Sequence, residues 1–123
     1  MIVTLLFTLQ VQADDQTKLS GEQLFTPTLW LFSPEMFACN LTNIDTKSHK
    51  IQVRIISNGK VLLTSKILTL EPQHTSNHKI KGPINGGPLY CAFTVEDNKE
   101  MYRGVAVLFK GAKGTDTVAV PAR

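Results

Sequence analysis

Residues 50–64, KIQVRIISNGKVLLT, contain the clearest structural signal in the chain. Every second side chain from Ile51 to Ile55 is apolar, and the side chains between them, Gln52 and Arg54, are polar. A period of two is typical of a β-strand that packs one face on a core and exposes the other to water. We therefore predict a strand here, with Gln52 and Arg54 on the wet face.

Turn residues divide this stretch and others like it. An Asn-Gly pair at positions 58–59 lies between two apolar runs, and both residues tolerate the positive φ angles of a type I′ turn. This pair strongly predicts a β-hairpin. An Asp-Asn pair at positions 97–98 predicts a second hairpin, between residues 89–96 and 101–110.

The rest of the chain repeats this pattern of short strands. From residue 28 onward, β-branched and aromatic runs alternate with turn residues, and no run has the length or period of a helix. The pattern predicts an all-β protein, an antiparallel β-sandwich of roughly seven to nine strands. The predicted strands are residues 28–32, 37–44, 50–57, 60–64, 66–70, 75–81, 89–96, 101–110 and 117–120.

The chain has 123 residues, which is the size of one domain. Residues 1–13 carry no charge, are rich in apolar side chains and end in Ala13 before two aspartates, so we expect a signal peptide that is cleaved after Ala13. Signal peptides normally open with Lys or Arg, whereas this segment opens with Met1-Ile2. We therefore expect the natural start to lie upstream. The alternative to a signal peptide is that residues 1–13 form an amino-terminal strand that stays in the domain. Residues 14–27 are predicted to be a flexible segment, and residues 28–123 the sandwich domain.

The expected location is the periplasm or the exterior of the cell. A membrane-spanning helix needs about twenty consecutive apolar residues, and no stretch of the sequence approaches that length. We therefore expect no transmembrane segment.

The two cysteines, Cys39 and Cys91, are predicted to form a disulfide. Each is in phase with apolar residues of its own strand, such as Phe37 and Phe93, so both should point into the core. Closing a loop of about 52 residues stabilises the fold by on the order of 4 kcal/mol in the loop-entropy model. Metal binding and a reactive thiol are the alternatives, and no CxxC motif supports either.

Two inward cysteines on nonadjacent strands resemble the immunoglobulin-like class, in which an early and a late strand are joined through the core. The chain departs from antibody domains in two details. Tyr90 lies one residue before Cys91, where the tyrosine corner needs two, and the single tryptophan, Trp30, precedes Cys39.

The chain more closely resembles a group of small secreted bacterial proteins of uncharacterised function. The matching motifs are CNLTN at residues 39–43, ISNGKV at 56–61, GGPLYCAFTV at 86–95 and YRGVA at 102–106. They cover strands and turns, so the resemblance implies an exported immunoglobulin-like sandwich with one disulfide. It implies no activity.

The histidines, His49, His74 and His78, give a weak alternative function. His74 and His78 share a face of the predicted strand, and His49 could complete a metal site or serve a hydrolytic centre. We expect no nearby carboxylate or thiol to complete such a site. The sequence contains no nucleophile elbow, HExxH motif or phosphate-binding loop, so we expect no enzyme activity and no cofactor.

Positive charge is concentrated in the middle of the chain. Residues 46–81 contain seven basic residues against one glutamate, a net charge of +6, while the rest has six basic and nine acidic residues, a net charge of −3. This predicts a basic binding face for a protein or an anionic envelope component, or simply a solubilising surface. Nucleic acid is not expected as a partner. The basic residues of this predicted face are Lys47, Lys50, Arg54, Lys60, Lys66, Lys79 and Lys81.

The leading functional hypothesis is therefore an exported, noncatalytic binding or accessory module whose partner the sequence does not name. A metal-binding or hydrolytic periplasmic protein is one alternative. A structural subunit that assembles by edge-strand addition is another. In the leading hypothesis the protein is a monomer or a weak oligomer.

Overall fold

The computed structural model describes residues 18–31, 35–81, 87–110 and 116–123. The predicted signal peptide, residues 1–13, lies outside these ranges, as does the prediction for residues 14–17. The described part of the chain is all-β and contains ten strands and one turn of 3-10 helix, Lys99–Met101. The strands are β1 (Glu22–Phe25), β2 (Leu29–Trp30), β3 (Met36–Asn43), β4 (His49–Ser57), β5 (Lys60–Thr64), β6 (Leu68–Leu70), β7 (Thr75–Lys81), β8 (Pro88–Val95), β9 (Tyr102–Lys110) and β10 (Asp116–Pro121).

The strands form two antiparallel sheets, as the periodicity predicted. The first sheet has the order β1-β8-β4-β5, with β2 continuing along β8 beside β1 and β6 continuing along β4 beside β5. The second sheet has the order β10-β9-β3-β7. None of the helical structure in the described ranges is long and apolar enough to cross a membrane.

The disulfide joins the two sheets through the core, and its prediction is confirmed. Cys39 on β3 and Cys91 on β8 are both fully buried, with their Cα atoms 5.8 Å apart. Phe37 and Phe93, two residues away on the same strands, are also fully buried. The phase relation between cysteines and apolar residues therefore located the inward faces correctly.

The Asn-Gly hairpin is also confirmed. Asn58 and Gly59 have φ angles of 49° and 73°, the positive values that a type I′ turn requires, and β4 pairs directly with β5. The register shifts between Ile55 and Ile56, so the hairpin contains a β-bulge two residue pairs from its turn.

The second predicted hairpin, between residues 89–96 and 101–110, is wrong. β8 belongs to the first sheet and β9 to the second, because each already lies between two other strands. Asn98 does not close a hairpin turn; its side chain accepts a hydrogen bond from Glu100 N at 3.0 Å and begins the 3-10 turn. The connection carries the chain from one sheet to the other.

The prediction of a flexible segment over residues 14–27 is wrong for its second half. Residues 22–25 form β1, which pairs with β8, and Leu24 is buried in the core. Gly21 permits this approach, since a Cβ at this position would lie 2.1 Å from Val95 O. The sandwich therefore begins before residue 28.

One part of the wet face of β4 is covered. Gln52 is buried, and its Nε2 donates to Ser65 O at 3.1 Å while its Oε1 accepts from Leu19 N at 3.0 Å. The chain before β1 thus crosses the outer side of the first sheet. Arg54, the other residue predicted on this face, is half-buried.

The two sheets are linked at one side of the sandwich. Phe25 at the end of β1 and Arg123 after β10 exchange main-chain hydrogen bonds of 2.9 and 3.0 Å.

The strand order differs from that of immunoglobulin domains, in which the first strand lies beside the strand that carries the first cysteine. Here β1 lies beside β8, which carries the second cysteine, and β9 lies beside β3, which carries the first.

Candidate functional site: the outer face of the first sheet

Side chains that point away from the core form cross-strand rows on the first sheet. One row consists of Phe25, Ala92, Arg54 and Thr64. The next row consists of Tyr90, Ile56 and Val61. Trp30 extends this surface along β8, because it pairs with Pro88. The second row and Trp30 make one half of the outer face apolar.

These apolar side chains are unusually exposed. Trp30 is 54%, Val61 47% and Phe25 46% exposed, and the ring centroids of Phe25 and Tyr90 are 6.4 Å apart. A contiguous exposed apolar area on a sheet is a common mark of a binding surface. We call this surface, with the basic side chains on it and at its border, the aromatic–basic face; its residues are Phe25, Trp30, Lys50, Arg54, Ile56, Val61 and Tyr90.

Arg54 lies in the middle of the aromatic–basic face. Its Nη2 donates to Gln23 Oε1 at 3.5 Å, the upper limit for a hydrogen bond, and its Nε is buried and has no partner among the described residues. Buried polar groups in folded proteins nearly always have a partner. Because Nε is buried, an acceptor from outside the chain would bind through the Nη groups, whose one hydrogen bond in the described ranges is the 3.5 Å contact with Gln23.

The opposite half of the same outer surface is polar. Thr94 and Gln52 are both 3% exposed and pair across β8 and β4. Lys50 follows next along β4, and its N–H donates to Glu96 Oε1 at 3.1 Å. Arg54 thus lies between a polar and an apolar area.

The seven predicted basic residues do not form one face. Lys50, Arg54 and Lys60 lie on β4 and β5 of the first sheet, and Lys66 lies in the loop that follows β5. Lys47 lies in the loop between β3 and β4. The remaining two, Lys79 and Lys81, lie on β7 of the second sheet.

The link between Phe25 and Arg123 is flanked by two open grooves. One groove, of about 380 Å³, continues from the aromatic–basic face and is lined by Phe25, Thr26, Pro27, Val120, Pro121 and Arg123. The other, of about 280 Å³, lies towards Tyr102 and Lys99. Phe25 therefore contributes to both the flat face and a depression at its rim.

The histidines are dispersed over the sandwich. His49 is buried, with Nε2 2.7 Å from Asp45 Oδ2 and its ring centroid 5.9 Å from that of Tyr102. His74 is exposed in the loop before β7, and His78 is half-buried on β7. In the described ranges no three His, Cys, Asp or Glu side chains come together as metal ligands.

Asp45 and His49 form a polar pair at one end of the sandwich. The hydrogen bond from His49, followed by that from Thr46 N, lowers the pKa of Asp45 below its usual value. Buried Asn43 holds the same loop, since its Oδ1 accepts from Asp45 N at 2.9 Å and its Nδ2 donates to Lys47 O at 2.8 Å. This pair explains His49 as a stabilising residue.

Tyr102 closes the core beneath this pair. Burial, with smaller contributions from the nearby carboxylates of Glu96, Asp97 and Asp45, raises its pKa to about 12. The neutral phenol donates to Glu96 O at 3.3 Å. Tyr102 is therefore a structural side chain that stays protonated through the ordinary pH range.

The sequence did not indicate the aromatic part of the site. Phe25, Trp30 and Tyr90 come from three strands, and the alternation within each strand does not show which outward residues become neighbours. The period of two did place Arg54 and Lys50 on the outer face. Only the pairing of β1 and β2 with β8 brings the aromatic side chains onto the same face as Arg54, with Phe25 in the row of Arg54.

Comparison with known proteins adds information on the fold alone. No family model matches the chain, and no curated protein matches it in sequence. A solved structure, "Crystal Structure of Thermotoga maritima 1070", is similar to this chain with a TM-score of 0.61 and 8% sequence identity. The match covers 86% of this chain and 96% of the Thermotoga maritima chain. The two proteins share an overall architecture, and the identity is too low to transfer any role.

Proposed function

We propose that this protein is an exported, noncatalytic binding module that uses the aromatic–basic face to hold an acidic partner protein. The observation that carries the proposal is the position of Arg54, whose guanidinium makes a single 3.5 Å hydrogen bond in the described ranges and which lies in the same row as Phe25 and one row from Tyr90. Aromatic residues and arginine are the side chains most enriched at protein interfaces.

The chemistry of the face favours an acidic partner. A carboxylate accepts hydrogen bonds from an arginine in a planar geometry that neutral acceptors do not match. Lys50 is exposed on the same side of β4, beyond Gln52, and adds positive charge to this side of the sheet. Trp30, Phe25 and Val61 supply apolar area around this contact, which excludes water and strengthens the charged pair.

A flat sheet surface favours a protein over a lipid bilayer as the partner. The centre of the face presents little apolar surface, since Ile56 and Ala92 are 8% and 0% exposed, and the centre therefore cannot insert between lipids. Peripheral membrane binding relies on apolar side chains that bury several ångströms below the headgroups.

Export is part of the proposal and rests on two observations. Residues 1–13 have the composition of a signal peptide. The Cys39–Cys91 disulfide is of a kind that persists in oxidising compartments and is rare in the cytosol. Intact mass of the protein from a periplasmic or culture fraction tests this directly: the expected species starts at Asp14 and lacks two hydrogens, and a chain with residues 1–13 retained contradicts export by cleavage.

The binding test compares two charge reversals. The mature protein is immobilised as wild type, Arg54→Glu and Lys47→Glu, and each form is exposed to the envelope fraction of its source, with captured proteins quantified by mass spectrometry. Lys47 lies in an exposed loop away from the face, so the control makes the same kind of change in charge elsewhere. We expect one acidic protein captured by wild type and Lys47→Glu and about tenfold less by Arg54→Glu.

Equal capture by all three forms would contradict the proposal. A second arm uses vesicles of phosphatidylcholine with phosphatidylglycerol and follows the fluorescence of Trp30, the single tryptophan. A blue shift of the emission with these vesicles, together with no Arg54-dependent protein, would replace the acidic protein with an anionic lipid surface.

A further inference from the structure

β7 is an edge strand of the second sheet in the part of the chain that the structure describes. On one side it pairs with β3 over seven residues without a register shift, from Lys81 opposite Met36 to Thr75 opposite Thr42. On its other side the described ranges place no strand. This edge lies at the end of the sheet away from β10, the strand whose continuation is bonded to Phe25. Among residues 18–31, 35–81, 87–110 and 116–123, the sandwich is therefore linked on one side and has an unpaired edge on the other.

The geometry of β7 suits the addition of a strand. An edge strand presents unpaired N–H and C=O groups along its free side, and regular strands of this length are templates for pairing with another chain. Exposed and half-buried side chains alternate through all seven residues of β7. No proline or bulge interrupts its pairing with β3.

The core-facing side of β7 contains polar groups without partners. Ser76 and His78 lie opposite Leu41 and Cys39, and Ser76 Oγ and His78 Nδ1 are buried with no hydrogen-bond partner in the described structure. Burial lowers the pKa of His78, so its ring is neutral at neutral pH. Side chains of an adjacent strand in this row would lie within reach of both groups.

The outward-facing side of β7 is basic. Lys79 and Lys81 are exposed at one end, while Thr75 and Asn77 occupy the other, and β7 contains no acidic residue. Lysines on an edge discourage pairing with a like-charged strand. Because the chain as a whole carries a net charge of +3, a second copy is a poorer occupant than an acidic strand.

We propose that β7 binds an extended acidic segment of a partner protein, which adds to the second sheet as its fifth strand. The segment places carboxylates opposite Lys79 and Lys81, an apolar side chain opposite Ile80, and hydroxyl or amide side chains opposite His78 and Ser76. This site is on the sheet opposite the aromatic–basic face and does not depend on it.

The test uses a defined peptide and the mature, disulfide-bonded protein. The probe is the acetylated and amidated heptapeptide EVESTTT, whose antiparallel pairing with β7 gives the pattern stated above, and the control peptide is KVKSTTT. Amide chemical shifts and hydrogen exchange of the ¹⁵N-labelled protein report the binding position. We expect shifts confined to β7 and β3, slower exchange of β7 amides, and no such changes with KVKSTTT.

Matched variants test the role of charge at the edge. Lys79→Glu/Lys81→Glu should bind EVESTTT about tenfold more weakly and gain affinity for KVKSTTT. Lys47→Glu/Lys66→Glu makes the same change in net charge at exposed loop positions and should bind as wild type does. Equal binding of both peptides, shifts on the first sheet, no shifts at millimolar peptide, or a dimer of the free protein joined through β7 would each overturn the proposal.

Discussion

Phe25 and Arg123 exchange both of their main-chain hydrogen bonds, with N to O distances of 2.9 and 3.0 Å. Phe25 belongs to the first sheet, and Arg123 follows the last strand of the second. Ala122 N also donates to Gly104 O at 2.8 Å, which extends the pairing of β10 with β9. Three hydrogen bonds therefore hold the last two residues against both sheets, and Phe25 enters the aromatic–basic face from this fixed point.

Removal of residues 122 and 123 should destabilise the sandwich. At roughly 1 kcal/mol for each of the three hydrogen bonds, the free energy of unfolding should fall by about 2–3 kcal/mol, measured by urea denaturation. Arg123→Ala retains the main chain and should change the free energy of unfolding by less than about 0.5 kcal/mol. Equal stability of the truncated and full-length proteins would show that the link contributes nothing.

The disulfide should account for a large part of the stability. Cys39→Ala/Cys91→Ala should lower the free energy of unfolding by on the order of 3–4 kcal/mol, because it removes the constraint on the unfolded chain. Reduction of the wild-type protein should give a similar loss in the same urea titration. A loss below about 1 kcal/mol would mean that the link between β3 and β8 constrains the unfolded chain far less than the loop length predicts.

Tyr102 should govern stability at alkaline pH. Its pKa is raised to about 12 in the folded protein, above the value of 10.0 for a free tyrosine. The unfolded state therefore loses the phenolic proton first, and stability falls as the pH rises from about 10 towards 12. Urea titrations across this range should show a shallower fall for Tyr102→Phe, which also loses about 1 kcal/mol at pH 7 with the hydrogen bond to Glu96 O. Identical slopes would contradict this assignment.

Asp45 should make the stability of the protein depend on pH in the acidic range. Its pKa is lowered in the folded protein by the hydrogen bond from His49, so its contribution to stability is present above the unfolded pKa of about 3.9 and is lost as the pH falls through the folded value. The difference in unfolding free energy between wild type and Asp45→Asn should therefore be largest near pH 6 and shrink below about pH 4. A difference that is constant with pH would indicate a purely structural effect of the substitution.

Local patterns predicted the parts of the fold that depend on neighbouring residues. The alternation around Val53 placed β4, Asn58-Gly59 placed the hairpin, and the phase of Cys39 and Cys91 located both inward faces. The Asp97-Asn98 hairpin was wrong because the same dipeptide also suits a crossing between sheets. Which of the two occurs depends on the strands that already flank β8 and β9, and those are distant in sequence.

The candidate site was likewise predictable only where it depends on neighbouring residues, and not where it depends on strands distant in sequence. Charge identified Arg54 and Lys50, but Lys79 and Lys81 lie on the other sheet and belong to a different surface. Phe25 lay in a segment predicted to be flexible, since four residues with one buried leucine give too short a pattern to recognise as a strand. The candidate surface therefore became apparent only with the order of the strands.

Hydroxyl-radical footprinting in the native envelope or culture fraction tests the central claim most directly. The account predicts that Trp30, Phe25 and Tyr90 become several-fold less reactive than in the purified protein, because the partner covers the aromatic–basic face. Met101, which is 38% exposed on the 3-10 turn, should keep its reactivity and serves as the internal control. Unchanged reactivity of Trp30 in that fraction would contradict the account.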